Sequence, residues 1–210
     1  MTYTLRIAHE AGKVSKANSK MPGTSFALSA KRCNVGSRLV KIKGSVCYKC
    51  YALRIQNFRP NVDKAWELNY SKLVQLLNDN PKAWVASMVK QIKGQKHHRW
   101  FDSGDLYNEQ MLDLIVEVCN LTKDTQHWLP TREVSLIHNY NKSIPSNLVI
   151  RVSSPMINDK PLSFSNTSTV VDNLDYATGH VCPSTKQGNN CGDCRACWDS
   201  DVSNISYPLH

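Results

Sequence analysis

HRWFDSGDLYNEQMLDLIVEVCNLTKDTQHWLPTREVSLIHNYNKSIPSNLVIRVSS, residues 98–154, is the stretch on which the fold class turns. HRWFDSGD runs from apolar residues into a polar turn, and NEQMLDLIVEVCNL repeats apolar residues at helical spacing. QHWLPTR is strand-like, EVSLIHNYN is a short helix, and NLVIRVSS is another strand. With STVV (168–171) as a last strand, strand centres recur every 20 to 28 residues, the period of βαβ units. Upstream, TSFALSA (24–30) is a candidate first strand. PNVDKAWELNYSKLVQLLND (60–79) reads as a helix with Val62, Trp66, Tyr70, Leu73, Val74 and Leu77 on its apolar face. Asn80 and Pro81 supply the cap and first turn of a second helix through Trp84, Met88, Val89 and Ile92, ending at Gly94. The expectation is a single α/β domain over 1–210, either a partial parallel β/α barrel or an open parallel sheet with cysteine-rich metal-binding loops.

In a parallel sheet, functional residues collect at the C-terminal strand ends. Asp102, Ser103, Gly104 and Asp105 follow the first strand of the central stretch, Thr131 and Arg132 end the next, and Arg151, Ser153 and Ser154 end the third. Together with the loop carrying Cys33, they define one candidate rim. Asp102, Asp105, Arg132 and Arg151 are its candidate catalytic groups, and Ser103, Gly104, Ser153 and Ser154 its candidate cofactor contacts. The plainer alternatives are a hydrogen-bonded turn at DSGD and structural ion pairs at the arginines.

Seven of the eight cysteines fall into two groups. Cys33, Cys47 and Cys50 form C-x13-C-x2-C; Cys182, Cys191, Cys194 and Cys197 form C-x8-C-x2-C-x2-C, with Pro183 after Cys182. The second spacing reproduces part of a bacterial ferredoxin run, so a 4Fe-4S iron-sulfur cluster is the expected group, with zinc the alternative. The first could hold a cluster with an open iron, where S-adenosylmethionine or a substrate could bind, or it could be a structural zinc site or share a cluster with the second. Cys119 lies in an apolar helical run and is expected to be a core residue. Of seven histidines, His180 is placed to reach the cluster, as a neighbour rather than a ligand, while His97 and His98 are expected at the surface.

The net charge of +9 is concentrated: residues 1–60 hold twelve Lys and Arg against the single acid Glu10, and the remainder holds 14 against 16 acids. This basic, cysteine-containing segment could bind nucleic acid through its phosphates, or be a solvated face. Lys31, Arg32 and Lys49 adjoin the thiols in sequence and are expected to favour thiolates. Hydrophobic content of 41% and a mean hydropathy of −0.42 argue against disorder and multiple membrane spans. MTYTLRIAHEAGKVSK has no signal-peptide apolar core, so a soluble intracellular protein is expected, with no membrane partner.

CYKCYALR after an upstream cysteine, the N-P-x-x-W segment at Asn80, WFDSGD, TRE at Arg132, NLVIRVSS and CPSTKQGNNCGDCRACW, in this order, resemble the phage gene product 88 family from about Ser25 to Trp198. The resemblance implies a tailed-phage protein acting in the cytoplasm of the infected bacterium. It brings no settled activity. The family's C-terminal cysteines correspond to Cys182, Cys191, Cys194 and Cys197, within a cluster-binding segment 180–198. There is a weaker likeness to radical S-adenosylmethionine enzymes, which also place three cysteines after a first strand. Their C-x3-C-x2-C is here C-x13-C-x2-C, and no glycine-rich cofactor strand follows. The functional expectation is an iron-sulfur protein with a redox or electron-transfer role and a redox partner in the host. The alternatives are a zinc-stabilised nucleic-acid-binding protein and a structural phage component whose metal stabilises a small domain.

Overall fold

The computed structural model describes residues 10–209, so Arg6 of the basic segment and the first residues of the N-terminal stretch lie outside the described residues. In chain order the elements are β1 (Thr24–Phe26), α1 (Asn34–Leu39), α2 (Tyr51–Phe58), α3 (Pro60–Asp79), α4 (Pro81–Ile92), β2 (His97–Trp100), α5 (Glu109–Leu121), β3 (Gln126–Thr131), α6 (Val134–Asn139), β4 (Leu148–Ile157), β5 (Thr167–Val171), β6 (His180–Val181) and β7 (Asn204–Pro208). The seven strands form one all-parallel open sheet in the order β1-β2-β3-β4-β5-β7-β6. It does not close into a barrel. Helix starts follow the expected chemistry: Ala83 N donates to Asn80 Oδ1 at 3.2 Å ahead of Pro81, and Met111 N donates to Asn108 Oδ1 at 2.9 Å.

Strand order explains which segment covers which face. From β1 to β6 the chain moves in one direction across the sheet, and right-handed crossovers then lie on one side. Leu73, Trp84, Met88 and Ile115 of α3, α4 and α5 pack there against Phe26, Trp100, Leu129 and Leu148. The step from β6 back to β7 reverses direction, so residues 182–203 cross the opposite face. On that face Trp198 meets Trp128 and His97 with ring centroids 5.4 and 5.1 Å apart.

Several expectations shift. The sequence pattern ends the strands at 168–171, whereas β6 and β7 follow; β6 has two residues, too few to show alternation, and β7 ends in proline. His98 is fully buried rather than at the surface, because it occupies the helix-facing position of β2. On α3 the buried positions are Asn69, Leu73 and Leu77, with Val62, Trp66, Tyr70 and Val74 only half-buried. Cys119 is buried in the core as expected.

His98 and His127 lie side by side in the core, ring centroids 5.6 Å apart, each hydrogen-bonded through one nitrogen to a threonine, Thr24 and Thr122. Burial pulls His127 down to about 3 and holds His98 well below the usual histidine range, with His127 as its secondary cause. Unfolding lets both take up a proton near pH 6.5, so stability is full above that pH and falls as pH drops toward the folded-state value. His127→Gln should therefore flatten the acid limb by about 1.4 kcal/mol per pH unit between roughly pH 6 and 4. Urea unfolding at a series of pH values measures this, and an unchanged slope contradicts it.

Candidate functional site

The C-terminal ends of β1, β2 and β3 share one rim. Ser29 caps the 3-10 turn Ala30–Arg32, which delivers Cys33 to the start of α1; Cys50 caps α2, its Sγ accepting from Leu53 N at 3.5 Å. Gly36 leaves room beside Cys33 in the first turn of α1. A Cβ there would stand 3.0 Å from Cys33 Cβ and 3.9 Å from Cys47 Sγ.

Asp105 faces the same thiols. Its Oδ1 accepts from Thr131 Oγ1 at 2.6 Å and Leu106 N at 2.8 Å, and its Oδ2 from Arg132 N at 2.9 Å. Burial raises this carboxyl, partly offset by those hydrogen bonds. Burial, followed by the Asp105, Cys50 and Cys47 charges, pushes Cys33 far above the usual thiol range, and Arg132 works against the shift. Cys47 is raised by burial too, again opposed by Arg132. The cation beside the thiols is therefore Arg132, from the next strand but one. The sequence neighbours Lys31 and Arg32 instead pair with Asp63 and Glu67 of α3, at 2.8 and 3.2 Å.

Polar atoms on this rim lack partners. Asp102 Oδ2 accepts from Ser25 Oγ at 3.0 Å, but Asp102 Oδ1, Ser103 Oγ, Arg132 Nε and the nearby Arg99 Nε are buried without a hydrogen bond. Each such atom costs about 1–3 kcal/mol unless something meets it. Gly104 has a φ of +82°, and a Cβ there would strike Leu28 Cβ at 2.6 Å, so glycine is required to press this loop onto β1's continuation.

The C-terminal thiols gather on the helix-free face. Cys182 follows β6, with its Sγ 3.3 Å from Ser184 Oγ; Cys194 Sγ lies 3.4 Å from His180 Nε2, and Cys197 Sγ 3.2 Å from the Tyr207 hydroxyl. Burial pushes Cys197 up to about 12 and raises Cys191, with Cys182 adding to both; Arg99 acts in the opposite sense on each. Arg99 also acts on Tyr51, beside Cys50, and its guanidinium lies 4.6 Å from the Trp128 ring centroid. It thus acts on Cys191 and Cys197 and on the residue that follows Cys50. All eight cysteines are free thiols. Among the described residues, no group of three or more His, Cys, Asp and Glu side chains is arranged to hold a metal ion as it stands.

Arg151, Ser153 and Ser154 do not join the rim. β4 continues to Ile157, which leaves all three inside the strand. Fully buried Arg151 donates through Nε to Cys197 O at 3.1 Å, through Nη1 to Val202 O at 2.8 Å and Thr167 O at 3.4 Å, and through Nη2 to Ala196 O at 2.8 Å and Asp199 O at 2.6 Å. It anchors the cysteine segment to the sheet. Ser153 Oγ meets Ser168 Oγ at 2.8 Å and Ser154 Oγ donates to Lys160 O at 2.9 Å. Asp102, Ser103, Gly104, Asp105 and Arg132 do come together with Cys33, Cys47 and Cys50. Sequence order did not single out Arg99 or Tyr207; Arg99 lies among the apolar β2 positions, and Tyr207 lies in β7, whose terminal proline conceals the strand.

The gene product 88 family model matches residues 4–200. The chain belongs to the gene product 88 family. No curated protein and no solved structure matches it, so the likeness to radical S-adenosylmethionine enzymes gains no support. In this family member, no helix among the described residues is long and apolar enough to cross a membrane.

Replacing Arg151 strands several carbonyls under Trp198. Arg151→Met should cost at least about 3 kcal/mol and speed proteolytic cleavage within residues 182–203, while Arg151→Lys recovers only part. Urea unfolding with limited proteolysis tests this. A loss below about 1 kcal/mol would show the anchor is dispensable.

Proposed function

We propose that this phage gene product is an iron-sulfur protein with a redox role in the infected cell, its cluster held by Cys182, Cys191, Cys194 and Cys197. The observation that carries the reading is the convergence of these four free thiols on one sheet face, with Arg99 and Arg195 acting on Cys191 and the segment anchored by Arg151. The donor set fits the group: four soft sulfurs, and cations to offset the negative charge of a thiolate-ligated cluster. Burial raises Cys197 and Cys191, so loading a thiolate-ligated group would release protons from these two. When bound, the cluster supplies a one-electron redox change. The chain's own residues do the rest: Tyr207 and His180 hold hydrogen bonds to Cys197 and Cys194, and Trp198 shields the sheet side of the segment.

Cys33, Cys47 and Cys50 form the second part of the reading. With Asp102, Ser103, Asp105 and Arg132 they present thiols and unpaired polar atoms to a ligand or a second metal group at the rim. The donor chemistry there is mixed, and it suits a site that exchanges its ligand.

Anaerobic purification with iron, sulfide and zinc analysis and a visible spectrum tests the proposal. The expected outcome is a brown protein containing iron and acid-labile sulfide, bleached by Cys194→Ser and unaffected by Cys119→Ala. Colourless protein with stoichiometric zinc contradicts it, and so does equal iron loss in the two variants.

A further inference from the structure

The outward face of α2 forms a surface separate from the C-terminal thiols. Tyr51, Arg54, Ile55 and Phe58 stand at i, i+3, i+4 and i+7, one stripe of the helix, and all four are exposed, Phe58 by 77% and Tyr51 by 53%. The opposite stripe, Ala52 and Gln56, is buried, and Gln56 is tied to Ser29, Ala30 and Asp63. That anchoring fixes the helix orientation, so the aromatic stripe has no way to turn inward. Tyr48, just before the helix, is 45% exposed.

The charged residues that this segment itself contributes have one sign. Lys41, Lys43, Lys49, Arg54 and Arg59 are exposed and pair with no carboxylate among the described residues, and residues 31–59 contain no Asp or Glu. A partner that satisfies both features must be anionic and must offer flat apolar faces. Single-stranded nucleic acid does: its phosphates meet the cations, and its unstacked bases lie on the rings. A duplex hides its base faces, and a run of acidic residues alone has none.

We propose that the exposed face of α2, with its approach from Lys41 to Lys49, binds single-stranded nucleic acid. Bases stack on Tyr48, Tyr51 and Phe58. Because Cys50 caps this helix and the Tyr51 hydroxyl donates to Asp102 O at 2.8 Å, the strand passes the rim that carries Cys33, Cys47 and Cys50. The proposal does not depend on the iron-sulfur reading.

Fluorescence anisotropy of the full chain with a labelled oligothymidylate of about 16 nucleotides tests it, with oligouridylate run alongside to tell DNA from RNA. Phe58→Ala and Tyr48→Ala should each weaken binding about tenfold without lowering the thermal midpoint. Lys43→Ala, Lys49→Ala and Arg54→Ala should each reduce the slope of log affinity against log salt by about 0.7, and Lys123→Ala, on the α5–β3 turn, should leave it unchanged. Absence of binding at low salt overturns the proposal. So does unchanged affinity in both aromatic variants, equal affinity for a duplex, or displacement by polyglutamate as effective as by the oligonucleotide, which would assign the surface to an acidic protein.

Discussion

A connection between parallel strands crosses the sheet on the face set by its right-handedness and its direction of travel, and the thiol site depends on that constraint. Six strands laid down in one direction would leave the second face bare. Because β7 enters between β5 and β6, the chain must double back, and the returning segment carries Cys191, Cys194 and Cys197 over the uncovered side. A segment lying on a sheet face brings carbonyls that neither the ladder nor water satisfies. Arg151 resolves this with a planar fork of donors reaching carbonyls of 196, 197, 199 and 202. Trp198 completes the cover, its Nε1 donating to His98 O at 2.9 Å.

The same topology places an arginine of the sheet near each cysteine group. Arg99 projects from the helix-free side of β2, between the rim and the C-terminal thiols, and Arg132 leaves the end of β3 beside Cys33 and Cys47. These side chains are remote from the thiols in sequence. The basic residues that adjoin them in the chain either pair with α3 or face solvent around α2. Positive charge thus has two separate tasks: arginines of the sheet act on the thiols, and the surface lysines and arginines of 41–59 stay free for a polyanion.

The helix–strand alternation of residues 98–154 was legible because each element there is long enough to show its period, and its parallel arrangement followed from connection lengths. The rim residues 102–105 and 132 were legible for the same reason. What escaped depends on contacts that no local pattern records. His98 sits between apolar residues only once β2 has a helix layer on one side. Arg151 reads as a charged residue at a strand end, yet β4 runs three residues beyond Ser154, and the guanidinium is enclosed by a segment some 45 positions later. The spacing of Cys182, Cys191, Cys194 and Cys197 marked them as a group, but only the reversal at β6 says which face they occupy.

Cysteine-resolved alkylation of the anaerobically purified protein, read by mass spectrometry before and after the metal is stripped, tests most directly whether this face was built to hold a thiolate-ligated group. Cys182, Cys191, Cys194 and Cys197 should resist labelling while the metal is bound and react once it is removed, with buried Cys119 protected in both states until the chain unfolds. Labelling of those four thiols at the same rate with and without metal removal would contradict it.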